Sequence, residues 1–185
     1  MNSRSIFYAE WLSANAVGFL IGSLIGATDN GLVSGIVGDL LFGVCFGVAQ
    51  VVVLRRYLNL SLWQQLGWVV ACAIGFTLGA RLGARYSYAF ASERVAIGTV
   101  FGLIMGVCVG VTQAAVVGFS WKMPHAYLWV AVSIVAWVIG EALAFRVSFS
   151  HAFVPLVGIL IGGVQGLIFI RLYPARFAFR VADRG

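Results

Sequence analysis

The chain has 185 residues, of which 62% are hydrophobic and only 10% are charged, and its mean hydropathy is +1.00. A soluble domain carries about a quarter of charged residues, so this composition excludes a water-soluble globular protein and predicts a single transmembrane domain over residues 1–185. The net charge of +6 comes from cations that lie between or just after the apolar runs, where orientation charges belong, and we expect no nucleic-acid partner.

Six apolar runs follow one another along the chain, each 19 to 25 residues long and able to cross a bilayer as a helix. They predict an all-α membrane protein with six transmembrane helices, at residues 6–27, 31–54, 62–80, 95–119, 126–145 and 152–170. Polar segments separate the runs. The longest of these segments, 81–94, alternates Arg and Ser with Tyr and Phe, and we expect it to lie on the membrane surface as a short amphipathic stretch.

The distribution of cations predicts the orientation of the helices. Six spans put both termini on one side, and that side carries eight cations: Arg4, Arg55, Arg56, Lys122, Arg171, Arg176, Arg180 and Arg184. The other side carries four: Arg81, Arg85, Arg94 and Arg146. By the positive-inside rule both termini are expected in the cytoplasm, with a bacterial inner membrane as the location and residues 174–185 as a short basic cytoplasmic tail.

The even-numbered helices share the pattern GxxxGxxQ, which occurs at positions 43–50, 106–113 and 158–165. The odd-numbered helices carry pairs of small residues at i and i+4, which are Gly18 with Gly22, Gly75 with Gly79, and Gly140 with Ala144. This repetition predicts three tandem pseudo-repeated helical hairpins, at about 6–57, 62–121 and 126–173. We expect them to surround a pseudo-threefold axis normal to the membrane.

Small residues at i and i+4 let two transmembrane helices approach closely, and this contact offsets the low helix propensity of glycine. We therefore expect glycine-zipper packing between neighbouring helices, with a glycine-lined ligand or pigment groove as the alternative. The expected helix-packing residues are Gly18, Gly22, Gly43, Gly47, Gly75, Gly79, Gly98, Gly102, Gly106, Gly110, Gly140, Gly158 and Gly162.

Gln50, Gln113 and Gln165 each lie three residues after the last glycine of their pattern, so the amide and the glycine share one face of the helix. Two interpretations remain open. In the first, each amide bonds to a neighbouring helix. In the second, all three amides converge on the axis as a polar ring that binds an ion or a small polar solute.

Two acidic residues, Asp39 and Glu141, lie well inside apolar runs. Charged groups in a membrane are costly and therefore candidates for a function. Arg81 and Arg146 lie at a matching depth, which predicts a structural ion-pair layer. The alternative is a proton- or cation-coupling site built on the two acids, which makes them candidate ligand-binding residues together with the three glutamines.

The sequence gives little support for a cofactor or a catalytic site. Cys45, Cys72 and Cys108 include no CxxC pair and no neighbouring His at metal spacing. The segment 141–146, EALAFR, resembles the chlorophyll-binding helices of light-harvesting proteins in its Glu-to-Arg spacing, but both histidines lie at helix ends. Since we find no nucleophile with a base and no paired carboxylates, we expect no enzyme, no cofactor, no metal and no catalytic residue.

Two functions remain. The first is a non-catalytic accessory, assembly or stabilising subunit of a membrane complex, in contact with the lipid bilayer and with a membrane-protein partner or further copies of itself. The second is a small-solute or ion transporter, a channel-like protein or a membrane solute-binding component. Its binding site would be Gln50, Gln113 and Gln165, which we call the glutamine layer. In size, helix number and apolarity the chain is similar to the substrate-binding subunits of energy-coupling-factor vitamin transporters, although those subunits are not known for a hairpin triplication.

Overall fold

The computed structural model describes residues 3–26, 35–147 and 153–172. Within them lie six long helices: α1 (Ser3–Gly26), α2 (Ile36–Tyr57), α3 (Leu62–Phe90), α4 (Arg94–Ala115), α5 (Ala126–Arg146) and α6 (Val154–Leu172). All six are long and apolar enough to cross a membrane, which confirms the prediction of an all-helical integral membrane protein. The predicted cytoplasmic tail, 174–185, lies outside the described residues.

The helices form a closed ring in chain order, because each helix packs against the next and α6 packs against α1. Neighbouring helices run antiparallel. A Cβ added at Gly98 of α4 would lie against Ala142 of α5, whereas one added at Gly110 would lie against Val130. The end of the ring that holds the start of α1 is called the terminal end below, and the opposite end is called the distal end.

Helix α3 is longer than the apolar run that predicts it. The expectation that residues 81–94 form a separate stretch after the third helix was wrong for residues 81–90, because α3 continues to Phe90 without a break. Packing explains the extra turns. Gly83 lies against the ring of Phe101 in α4, where an added Cβ would be 2.7 Å from Cδ2. The segment also lacks proline up to the end of the helix, and its Arg, Leu and Ala residues are good helix formers.

Aromatic side chains fill the middle of the ring. The fully buried Trp137 of α5 reaches across to three other helices. Its ring centroid lies 5.6 Å from that of Phe19 in α1, 6.3 Å from Phe46 in α2 and 6.0 Å from Phe76 in α3. Trp137 and the phenyl rings that contact it therefore close the interior at this depth.

Candidate functional site

The three glutamines of the repeated pattern lie inside the ring. Gln50, Gln113 and Gln165 are on the even-numbered helices α2, α4 and α6, and all three side chains are 0% exposed. Their burial follows from the pattern, because the preceding glycine on the same face brings the next helix close. A buried amide needs hydrogen-bond partners within the protein, since hydrocarbon offers none.

Gln50 bonds to side chains of both helices that flank α2 in the ring. Its Nε2 donates to Oδ1 of Asn15 in α1 over 2.9 Å, and its Oε1 accepts from Nε1 of Trp68 in α3 over 3.0 Å. The Sγ of Cys72 in α3 lies 3.7 Å from the same oxygen and also donates to it. The amide therefore links the first hairpin to the start of the second.

Gln113 has an equivalent set of partners one hairpin further along the chain. Its Nε2 donates to Sγ of Cys72 in α3 over 3.2 Å, and its Oε1 accepts from Nε1 of Trp129 in α5 over 2.9 Å. The same Nε2 lies 3.4 Å from Oε1 of Gln50 and donates to it. Two of the three glutamine amides thus meet directly.

Gln165 completes only half of this pattern. Its Nε2 donates to Oγ of Ser133 in α5 over 3.3 Å. Its Oε1 is buried without a hydrogen-bond partner in the described part of the chain, and so is Nε1 of Trp11 in α1, the tryptophan equivalent to Trp68 and Trp129. The contact between α6 and α1 therefore lacks the hydrogen bond from tryptophan to glutamine that links α2 to α3 and α4 to α5.

The partners of the glutamines form a second pattern, which the sequence analysis missed. In each odd-numbered helix a buried tryptophan is followed four residues later by a small polar side chain. The pairs are Trp11 with Asn15, Trp68 with Cys72, and Trp129 with Ser133. The spacing places both side chains on one helix face. When α5 is aligned with α1 and α3 on its tryptophan, Ala136 and Gly140 take the positions of the glycine pairs in those helices. This pair lies one turn before the predicted pair of Gly140 and Ala144.

The glycines expected to pack helices all lie at helix–helix contacts. A Cβ added at any of them would lie 3.1 Å or less from an atom of a neighbouring helix. In α1, α3 and α5 these glycines face the second helix of the same hairpin, and in α2, α4 and α6 they face the first helix of the next hairpin, with α6 facing α1. Contacts of this closeness leave no groove at those positions.

The two acidic residues have different surroundings. Asp39 accepts a hydrogen bond from Arg81 of α3, with 2.6 Å between Nε and Oδ2, and this ion pair is partly exposed. Glu141 is 3% exposed, and its Oε2 accepts no hydrogen bond from any described residue. Arg146, which we expected beside it, is exposed and forms no ion pair with it within the described ranges. Only the Asp39 half of the expected ion-pair layer is therefore observed.

A cavity of about 240 Å³ lies at the distal end of the ring, and we call it the distal pocket. Both acidic residues line it, and aromatic rings make up much of its wall: Phe19, Phe42, Phe76 and Phe101. Trp137 lies one helical turn from Glu141 on α5, on the terminal side of the pocket. The pocket is thus separated from the glutamine layer by the aromatic contacts of Trp137.

Within residues 3–26, 35–147 and 153–172, no group of three or more His, Cys, Asp or Glu side chains could hold a metal ion. The distal pocket and the glutamine layer are two polar sites inside the ring on which a function can be argued. Comparisons with protein-family models, with curated proteins and with solved structures find no match to this chain.

Proposed function

We propose that the protein is a non-catalytic accessory, assembly or stabilising subunit of a membrane complex. The observation that carries this proposal is the filled interior of the ring. Two of the three glutamines are fully engaged with neighbouring helices, and Trp137 closes the interior next to them. Such a bundle offers a rigid membrane-embedded surface rather than a path for a solute.

We also propose that the ring arose from three tandem hairpins held together by glycine zippers. The repeated hydrogen-bond pattern supports this origin, since Asn15, Cys72 and Ser133 take equivalent places as acceptors for the three glutamines. The close contacts at the glycines support the zipper. Because these glycines are used inside the ring, they are not free for lateral contacts, and a partner would have to bind other lipid-facing side chains.

For the orientation we propose cytoplasmic termini in a bacterial inner membrane, on the basis of the excess of cations at the terminal end. Reporter domains fused after the last residue and within the loop between α3 and α4 test this. The C-terminal fusion should be active only with a cytoplasmic reporter and the loop fusion only with an exported one, and the reverse result would contradict the orientation.

The accessory role is tested by purifying the tagged protein from its native host in a mild detergent and identifying what remains bound by mass spectrometry. We expect one membrane-protein companion in stoichiometric amount. A photo-crosslinking residue at lipid-facing positions, such as Leu24, Leu103 and Leu167, should join to that same companion on one side of the ring. Deletion of the gene should then lower the amount of the assembled complex, whereas an unchanged complex would overturn the proposal.

One observation favours the alternative of a solute-binding or transport protein that uses the glutamine layer. Oε1 of Gln165 and Nε1 of Trp11 are buried polar atoms without partners in the described residues, and such atoms occur where a ligand binds. Simultaneous replacement of Gln50, Gln113 and Gln165 by Leu separates the two functions. Loss of solute binding with the fold retained would favour transport, and unchanged behaviour would favour packing.

A further inference from the structure

The distal pocket contains a buried acidic group that the proposed function does not use. Glu141 is 3% exposed and lines the pocket, and its Oε2 has no partner among the described residues. Burying an ionised carboxylate without a cation costs several kcal/mol. Ionisable residues in transmembrane segments are therefore kept mostly where they meet a substrate, an ion or a charged partner.

Among the described residues, the charges around the pocket include no counter-ion for Glu141. Asp39, the other acidic residue in its wall, is already neutralised by Arg81. Ser23 of α1 also lines the pocket, and its hydroxyl donates a hydrogen bond to the carbonyl oxygen of Leu20. With Glu141 ionised, the described charged groups that line the pocket, taken with Arg81, sum to one negative charge.

The walls of the pocket have the chemistry that recognises organic cations. Phe42 and Phe76 stack with 4.0 Å between their ring centroids, and Phe19 and Phe101 complete an aromatic lining. The negative faces of aromatic rings attract ammonium groups, most strongly where water is excluded, and they also accommodate apolar substituents. A carboxylate in an aromatic pocket therefore favours a cation that carries hydrocarbon over a hydrated metal ion.

The pocket also ends within the protein. Trp137 contacts Phe19 and Phe76, two of the rings that line the pocket, so these side chains separate the pocket from the glutamine layer. We propose that the distal pocket binds a small organic cation, with its ammonium group beside the Glu141 carboxylate and its apolar part against the phenylalanine rings. This site is independent of the accessory role, and either claim can fail without the other.

The first test compares two probes of equal shape on the purified wild-type protein in nanodiscs. Phenyltrimethylammonium carries a permanent positive charge, and tert-butylbenzene is its neutral counterpart. Titration calorimetry should show saturable binding of the cation, with an affinity about tenfold or more above that of the hydrocarbon, because only the cation pairs with the carboxylate. Equal affinities, or no binding of the cation, would overturn the proposal.

The second test uses variants. Glu141→Gln should weaken binding of phenyltrimethylammonium by about thirtyfold or more, because a buried charge pair loses one partner. Glu93→Gln is the matched control, because Glu93 precedes α4 at the distal end, is exposed and does not line the pocket. This variant should bind phenyltrimethylammonium with the affinity of the wild type. A wild-type affinity in Glu141→Gln would contradict the site.

A third variant tests the pocket independently, in case Glu141→Gln does not fold. Ala80 lines the pocket on α3 and is only partly buried, so Ala80→Phe should fill the space without changing a charge. The variant should abolish binding of phenyltrimethylammonium while keeping the elution profile of the wild type. Retained binding in a folded Ala80→Phe variant would place the cation elsewhere.

Discussion

Gln50 carries more hydrogen bonds between helices than any other described side chain, and its partners lie on both sides of it. Asn15, Trp68 and Gln113 all bond to its amide, so three helices besides its own depend on one residue. Lipid cannot hydrate these groups if the amide is removed. The residue therefore stabilises the arrangement of the helices more than any single bond would.

Gln50→Leu should lower the free energy of unfolding by about 1–2 kcal/mol, the sum of a few interhelical bonds worth about 0.6 kcal/mol each. Gln165→Leu is the matched variant, since that amide makes one bond and leaves Oε1 without a partner in the described structure. Its effect should be near zero. Unfolding titrations with SDS in mixed micelles measure both, and the reverse order of effects would contradict the hydrogen-bond assignment.

Trp137 stabilises the protein by filling space in the middle of the ring. Trp137→Ala should destabilise the protein by about 2–3 kcal/mol, mainly through the cavity that it leaves, because transfer from lipid adds little to burial in a membrane protein. Trp63→Ala serves as the control, since Trp63 is 81% exposed and should change stability by less than about 0.5 kcal/mol. Thermal melts in detergent compare the two, and similar losses would show that Trp137 is not a packing centre.

The amides of the site could be predicted from the sequence, but their partners could not. Glutamine is conspicuous in an apolar run, and its spacing from glycine predicts a buried face. Cys72 and Ser133 are ordinary residues of transmembrane helices, and only the contact with the next helix marks them as partners. The expected partner of Glu141 was matched by depth alone, but a spacing of five residues turns Arg146 to a different face of α5.

At the scale of the helix, glycine sets how closely neighbours approach. A Cβ added at Gly102 would lie 2.5 Å from the carbonyl oxygen of Trp137, so a methyl group there pushes α4 away from α5. By contrast, a Cβ at Gly67 in α3 would meet only the side chain of Val116, at 4.0 Å. The same substitution thus has opposite consequences at two glycines.

Gly102→Ala should cost about 1–3 kcal/mol through overpacking. Gly67→Ala should instead stabilise the protein by up to about 1 kcal/mol, because alanine is the better helix former and has room there. Free energies of unfolding in mixed micelles test the sign of each change. Stabilisation by both variants to the same extent would show that helix propensity, and not the close contact, decides the effect.

Helix positions followed from hydropathy, but helix ends did not. The run that predicts α3 stops where the first arginine appears, whereas the helix continues because Gly83 packs against Phe101. A contact between distant residues is invisible to a window of hydropathy. The ends of the other helices lie within a few residues of the predicted ones, apart from α2, which starts at Ile36 instead of residue 31.

For the whole molecule, closure of the ring by α1 and α6 determines what the interior can do. Each helix has two neighbours, so the polar groups of the glutamine layer are enclosed on all sides. The aromatic contacts of Trp137 divide this layer from the distal pocket. Described side chains therefore fill the centre of the ring between the glutamine layer and the distal pocket.

The closed interior is tested most directly by flux through the purified protein in liposomes. We predict that wild-type protein passes potassium ions, phenyltrimethylammonium and glycerol no faster than empty liposomes do, because its own side chains fill the axis. Gln50→Leu serves as the comparison. Flux above that of empty liposomes that is lost in this variant would show a path along the glutamine layer and would contradict the account.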